Sequence, residues 1–338
     1  MKEEIVEDKK KSKSLMKFIT KWGTFITIVI LFVFFTFANW NSAKNSSIFL
    51  TYDNMITIVR SISITAIIAI GLTYSLTVNG MDLSIGANAN FADFLVMSMF
   101  VWHSMGICTS IVLSIVICLV IGLINSFLIV KMKIPDMVAA LSTMFMFQGV
   151  AMTYSNGGAI TERMMMKGGK AALGLVPPAF RGLGKEPWII VIMLIVVIFA
   201  HFFLNYTKYG RYMYAVGGNP EAARLSGIPV NKYRILAYLL SASFAALGGI
   251  LIAARVGTAQ VNAGAAYLMP SVAAAYIGFS VAGAGKPNAL GTLAGAVLVG
   301  MLENGLIMMS VPYYAMDIIK GAVLAIALAL TYATKKET

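Results

Sequence analysis

The chain has 338 residues, 59% of them apolar and only 12% charged, with 26 Lys and Arg against 14 Asp and Glu. A mean hydropathy of +0.82 excludes a water-soluble domain. A net charge of +12 would point to nucleic acid in a soluble protein, but here Lys and Arg serve to orient membrane helices, and no nucleic-acid partner is expected. Apolar runs recur that reach the roughly 20 residues needed to cross about 30 Å of hydrocarbon as helix. They do not alternate polar with apolar, which excludes a membrane β-barrel.

The pattern predicts an all-α polytopic membrane protein with about ten spans: 18–38, 54–78, 83–101, 106–130, 136–154, 187–206, 231–254, 267–283, 289–310 and 312–333. The first segment, MKEEIVEDKKKSKS, mixes both charges, and the run behind it is long enough to stay in the membrane, so no cleaved signal peptide is expected. An even span count puts both termini on one side. The Lys-rich tail 1–17 and Lys335 and Lys336 in the tail 334–338 place that side in the cytoplasm. Lys131, Lys133, the loop 207–230 and Lys286 then lie inside, as the rule requires. The external loop 155–186 breaks it, with Arg163, Lys167, Lys170, Arg181 and Lys185. Either the span count is off by one nearby, or this charge has an external partner. The second reading is preferred because the remaining loops keep the rule.

Polar residues interrupt the third span at Asn88, Asn90 and Asp93. Asp93 lies 11 residues beyond Asp82, hence about 16 Å into the bilayer. A carboxylate at that depth costs at least about 2.5–3.5 kcal/mol on insertion scales, so it is not expected to face lipid. Two readings stay open for it: lining of a transport path, shared with Asn90 on the same helical face, or a structural hydrogen bond, with a neutral acid as a variant. Cys108 and Cys118 share one run and cannot bridge, so buried thiols are expected and no metal site. His103 and His201 fall near span ends, as interfacial residues do. The run Met164–Met166 reads as a loop contact with a partner rather than a soft-metal site.

Gly122-Leu-Ile-Asn-Ser-Phe-Leu-Ile129 is similar to Gly300-Met-Leu-Glu-Asn-Gly-Leu-Ile307, and Pro135 and Pro312 follow at like distances. The two stretches run in opposite directions, which predicts an inverted repeat of spans 2–5 on spans 7–10. Asn125 and Glu303 then sit at mirrored depths, about 9 and 10 Å from opposite helix ends. Glu303 and the adjacent Asn304 belong to a helix with Gly291, Gly295, Ala296 and Gly300 at fourfold spacing, a face that favours close packing. Path lining and packing both stay open for Glu303. Asp317 and Lys320, at i,i+3, are placed to pair.

The segment Arg211–Val230, RYMYAVGGNPEAARLSGIPV, is a polar island between apolar runs. Asn219 is a good N-cap, Pro220 suits the first helical position, and Glu221 meets the positive end of the helix dipole. Ala222, Ala223 and Arg224 continue the helix. Gly227 stops it, and Pro229 prevents its resumption. A short, stiff, cationic surface helix over Pro220–Ser226 follows.

This island resembles the cytoplasmic coupling loop of ribose-type ABC import permeases, whose members read close to GGN-x-EAARLSGI. Asn79-Gly-Met-Asp-Leu-Ser-Ile-Gly86 resembles the family's GGIDLSVG turn, with Asn79 for the first glycine; Asn also tolerates positive φ. Gly291–Ala296 (GTLAGA), Asn304–Leu306 (NGL) and Asp317–Gly321 (DIIKG) resemble its C-terminal block. The resemblance covers most of the chain after about residue 54. It implies the transmembrane subunit of a bacterial plasma-membrane importer, working as a homodimer in the lipid bilayer. ATP-binding-cassette subunits would sit inside, holding ATP and Mg, and a substrate-binding protein outside; the chain itself is expected to bind no cofactor. The ATPase contact would be Asn219, Pro220, Glu221, Ala222, Ala223, Arg224 and Gly227. Binding-protein docking would fall to Arg163, Lys167, Lys170, Arg181 and Lys185. Asn88, Asn90, Asp93, Asn125, Glu303 and Asn304 are the candidate substrate path. Two departures from the family bear on substrate identity: Asn88, Asn90 and Asp93 intrude where small apolar residues are usual, and Glu303 replaces a neutral amide.

No energy source is visible within the chain. The segment Ser280-Val-Ala-Gly-Ala-Gly-Lys-Pro287 lacks the Gly and the Ser or Thr that a P-loop needs. No HExxH, nucleophile elbow or His-based dyad is present, so no catalytic residue is expected. An ion-coupled secondary carrier is the rival class, since it too uses repeats and intramembrane acids, but it has no need of a capped cytoplasmic helix. Ribose-type sugar is the leading substrate class, with nucleosides and other small polar solutes open.

Overall fold

The computed structural model describes residues 23–41, 46–166, 169, 171–279, 285–312, 314–316, 318–322 and 325. The chain is an all-α polytopic membrane protein. Its helices are α1 (Gly23–Ala38), α2 (Tyr52–Thr77), α3 (Ile85–Val101), α4 (Ile107–Ser126), α5 (Asp136–Tyr154) and α6 (Pro178–Leu183). They continue with α7 (Trp188–Tyr206), α8 (Lys208–Gly218), α9 (Pro220–Leu225), α10 (Val230–Val256), α11 (Leu268–Gly278) and α12 (Ala289–Met308). Six of them are long and apolar enough to cross a membrane; α1, α3 and the stretch containing α11 are shorter apolar helices. The described part of each of the first nine predicted spans coincides largely with one of these helices; residues 18–22, 280–283 and most of 312–333 lie outside the described residues. Two-residue strands, β1 (Trp40–Asn41) and β2 (Ser46–Ser47), form a small antiparallel pair after α1.

Local chemistry sets the boundaries. Asn79, at φ 57°, makes the left-handed turn between α2 and α3 that its side chain tolerates. The α10 helix ends at Gly257, φ 77°, a left-handed cap that costs glycine nothing. Asn288 caps α12, its side-chain oxygen accepting from Gly291 N at 2.6 Å. α4 runs on into a π-helical turn, Phe127–Lys131, that periodicity did not foretell.

The chain divides into two compact units, 63–272 and the pair of stretches 1–62 and 273–338. In the first, α3 is buried at every position from Ile85 to Val101, Asn88, Asn90 and Asp93 included. It packs on α10, α4 and α5. A Cβ at Gly249 would lie 2.0 Å from the Ala89 carbonyl oxygen, so α10 and α3 touch backbone to backbone there. On α4 the exposed apolar residues Val112, Val116 and Val120 recur at i+4 and form a stripe suited to hydrocarbon. In the second unit, Ile28 and Leu31 pack on Ala273, Ile277, Leu298 and Val299. The small face of α12 is a packing face: a Cβ at Gly295 would meet the Ala274 oxygen at 2.2 Å, and one at Gly300 would meet Ile62 at 2.6 Å.

Candidate functional site

The polar island folds as two helices at a corner. Thr207 caps α8, accepting from Gly210 N at 3.2 Å, and α8 packs on α7 and α10. Asn219 caps α9, its Oδ1 accepting from Glu221 N at 3.1 Å and Ala222 N at 3.0 Å. Pro220 takes the first helical position. Arg224 pairs with Glu221 at 2.8 Å on the open face. At the far end Gly227, φ 78°, lets Ile228 N reach Ala223 O at 3.0 Å, the closing bond of a left-handed helix stop. Ala223 is 4% exposed and faces inward, whereas Leu225 at the tip is 89% exposed. The predicted cap, start and stop all form. The preceding helix α8 was not foreseen, although Thr207 before it is a legible cap.

Below α8 lies the turn 78–84. A Cβ at Gly217 would meet Thr77 O at 2.1 Å and Asn79 N at 3.2 Å, so α8 rests directly on the backbone entering that turn. The turn carries Asp82, which is buried. Asp82 Oδ1 accepts from Ser84 N at 3.0 Å, Ser84 Oγ at 2.6 Å and Asn125 Nδ2 at 3.4 Å, and Oδ2 accepts from Ser241 Oγ at 2.7 Å. Asn125 Oδ1 in turn accepts from Thr143 Oγ1 at 2.6 Å. Burial pushes the Asp82 carboxyl above its ordinary range, the hydrogen bonds from Ser84 and Ser241 pull it back, and the nearby Asp136 charge adds to the rise. Next to it, Asp136 pairs with Arg234 and accepts from the buried Tyr238 hydroxyl at 2.6 Å. In α8, burial raises the Tyr214 hydroxyl to about 12.

Farther along α3, Asn88, Asn90 and Asp93 are all buried, Asp93 with 0% exposure. Asn88 Nδ2 donates to Ala242 O at 3.1 Å. Asn90 Oδ1 accepts from Gly264 N at 3.4 Å, and Asp93 Oδ2 accepts from Gln260 N at 3.2 Å. Asn90 and Asp93 thus share a face, as read from the sequence, and that face is covered by the segment 257–267. Among the described residues, Asn88 Oδ1, Asn90 Nδ2 and Asp93 Oδ1 have no hydrogen-bond partner. Each is a polar atom whose desolvation is uncompensated.

A model of the family described as branched-chain amino acid transport system / permease component matches residues 54–328. The chain belongs to this permease family. It is 34% identical over 283 residues to the ribose import permease protein RbsC of Escherichia coli (strain K12), covering 82% of this chain and 85% of that one. To RbsC of Bacillus subtilis (strain 168) it is 31% identical over 335 residues, covering 98% of both. The galactose/methyl galactoside import permease protein MglC of Escherichia coli (strain K12) is 28% identical over 340 residues, covering 96% of this chain and 98% of that one. No solved structure matches.

The remaining predicted residues of this permease are distributed as follows. Asn125 joins the Asp82 network rather than the Asn90–Asp93 face. Glu303 accepts from Lys320 Nζ at 2.8 Å, and Asn304 donates to Asn54 Oδ1 at 3.0 Å. Lys320 was expected to pair with Asp317, which lies outside the described residues. Arg181, read as a docking charge, pairs with Glu162 at 2.8 Å within its own loop. Arg163 and Lys185 are exposed, and Lys167 and Lys170 lie outside the described residues. Met165 is exposed, while Met164 Sδ accepts from Trp102 Nε1 at 3.4 Å, an internal contact rather than one held out for a partner. Sequence reading missed Asp82, Asp136, Arg234 and Ser241. Asp82 was visible within the GMDLSIG turn, but only as a depth marker.

Proposed function

We propose that this permease is the transmembrane subunit of an ATP-binding-cassette importer for a monosaccharide, with ribose as the first candidate. The observation that carries the substrate is the 31% identity to the Bacillus subtilis ribose import permease across 98% of both chains. The galactose and xylose import permeases of Escherichia coli follow at 28% and 25%. The capped α9, rigid and packed through Ala223 with Leu225 open at its tip, suits a contact with a separate ATPase that binds the ATP and Mg. A second copy of the permease completes the path, with both termini on the ATPase side. Asn90 and Asp93 contact the solute once segment 257–267 shifts, since each carries a polar atom without a partner. A sugar hydroxyl satisfies both an amide donor and a carboxylate acceptor. Asn125 and Glu303 already hold side-chain partners and are left out of this assignment; Asn304 donates to Asn54 while its own Oδ1 has no partner among the described residues.

The test is uptake by proteoliposomes holding the permease with its cognate ATPase and binding protein. Ribose should be accumulated and should compete out galactose and xylose. Accumulation without ATP, driven by a proton or sodium gradient, would refute the importer reading in favour of an ion-coupled carrier. Accumulation of a nucleoside instead would refute only the sugar.

The loop 155–186 is assigned to the binding protein through Arg163, Lys167, Lys170 and Lys185. Rim charges act mainly by steering encounter, and exposed charges are screened over about 8 Å at physiological salt. Neutralising Arg163, Lys167 and Lys170 together should slow association with the binding protein and flatten its salt dependence, as read by stopped-flow. Unchanged kinetics would leave the cluster as a headgroup anchor.

A further inference from the structure

The contact of α8 with the turn 78–84 and the hydrogen bonds of Asp82 meet within a few residues. The first has no side chain in it: Gly217 lies against Thr77 O, and the next residue, Gly218, has nothing within 4 Å of its Cβ position. A displacement of α8 therefore reaches the turn without passing through a flexible group. The second gathers separate helices onto one carboxylate. Ser84 belongs to the start of α3, Asn125 to α4 and Ser241 to α10, and Asn125 brings in Thr143 of α5. A ring ladder runs beside it, Tyr209 of α8 on Phe203 of α7 at 6.2 Å and Phe203 on Tyr74 of α2 at 5.6 Å.

We propose that the turn 78–84 is the transmission element of this transporter, receiving the motion of α8 through the Gly217–Thr77 contact and passing it through Asp82 to α3, α4, α5 and α10. The proposal rests on the reading that α9 is the ATPase contact. Its physical basis is that a buried network with every partner in place resists partial opening, because each orphaned group keeps its full desolvation cost. The helices tied to Asp82 then shift as a set or exchange partners as a set, which is the discrete behaviour a switch needs. Asp82, Asn125, Thr143 and Ser241 are positioning residues: they touch one another and carry force between helices.

The experiment uses the full transporter in proteoliposomes and reads sugar accumulated per ATP hydrolysed, with retention of the ATPase subunits measured alongside. Gly217→Ala forces a methyl group against Thr77 O and should lower the ratio at least tenfold while the ATPase stays bound. Gly218→Ala, one residue on and facing open space, should leave the ratio unchanged. A normal ratio for Gly217→Ala, or equal losses in both variants, would overturn the proposal. Should Gly217→Ala not fold, Thr143→Val removes one donor from the network without adding bulk. It should lower the same ratio, and Thr143→Ser should restore it; an unchanged ratio for Thr143→Val overturns the proposal equally. Failure of the α9 reading has a different signature, an ATPase that stays bound when Leu225 is replaced by Asp, and that measurement is independent of the ratio.

Discussion

Leu225→Asp should strip the transporter of its ATPase subunits while the permease stays folded. Leu225 stands at the tip of α9 with 89% of its surface open, so its replacement removes no packing from the isolated chain. A leucine held out on a capped, stiff turn is suited to burial in a partner. Burying such a side chain is worth about 1.5–3 kcal/mol, so its loss weakens association roughly tenfold to a hundredfold. An aspartate in the docked position adds an unpaired charge and deepens the effect. Titration of labelled ATPase onto detergent-solubilised permease reads the affinity, and the unfolding temperature of the permease alone serves as control. Association within twofold of the parent would remove α9 from the docking surface. Ala223→Arg is a poorer probe, because Ala223 is 4% exposed and the arginine would break the packing of α9 first. Glu221→Pro is informative for another reason: it deletes the Glu221 N–H that donates to Asn219, half of the cap.

Asp136→Ala should be the most destabilising single substitution in the polar cluster beneath α8. Asp136 sits at the start of α5, pairs with Arg234 and accepts from Tyr238, both of α10 and about a hundred residues away in sequence (98 and 102). The pair is mostly buried, with 28% and 17% of the two side chains exposed. Removing the carboxylate leaves the guanidinium and a fully buried hydroxyl without their acceptor, a loss of about 3–5 kcal/mol by comparison with other buried pairs. Asp136→Asn keeps an acceptor for Tyr238 and should cost less. Replacing both partners, Asp136→Leu with Arg234→Met, should recover much of the loss, since an apolar pair leaves no charge stranded. Denaturant unfolding in detergent, followed by tryptophan fluorescence, checks the order. A midpoint for Asp136→Ala equal to that of the parent would show that the pair does not hold α5 to α10.

The sequence by itself determined what depends on neighbours along the chain. Spans were legible because hydrocarbon demands a run of about 20 apolar residues, whatever lies around it. The α9 cap was legible because Asn219 needs only the amides of the next turn, and the positive φ of Asn79 because it is a property of one residue. Asn88, Asn90 and Asp93 announced that α3 does not turn that face to lipid, because hydrocarbon makes an exposed carboxylate costly, and the glycines of α12 announced a packing surface. Only the tertiary structure decided which polar groups meet. Ser241 lies 159 residues from Asp82, and Asn125 lies 43 residues from it. No local periodicity records such pairings, because they depend on the rotation of each helix about its own axis and on how closely glycines let the backbones approach. The same holds for Arg181 and Glu303, which the sequence offers as free charges and the fold pairs with Glu162 and Lys320. In a bilayer the distinction is sharp. Insertion selects for the length and apolarity of each segment separately, while a buried carboxylate such as Asp82 is tolerable only after several helices have come together to surround it with donors.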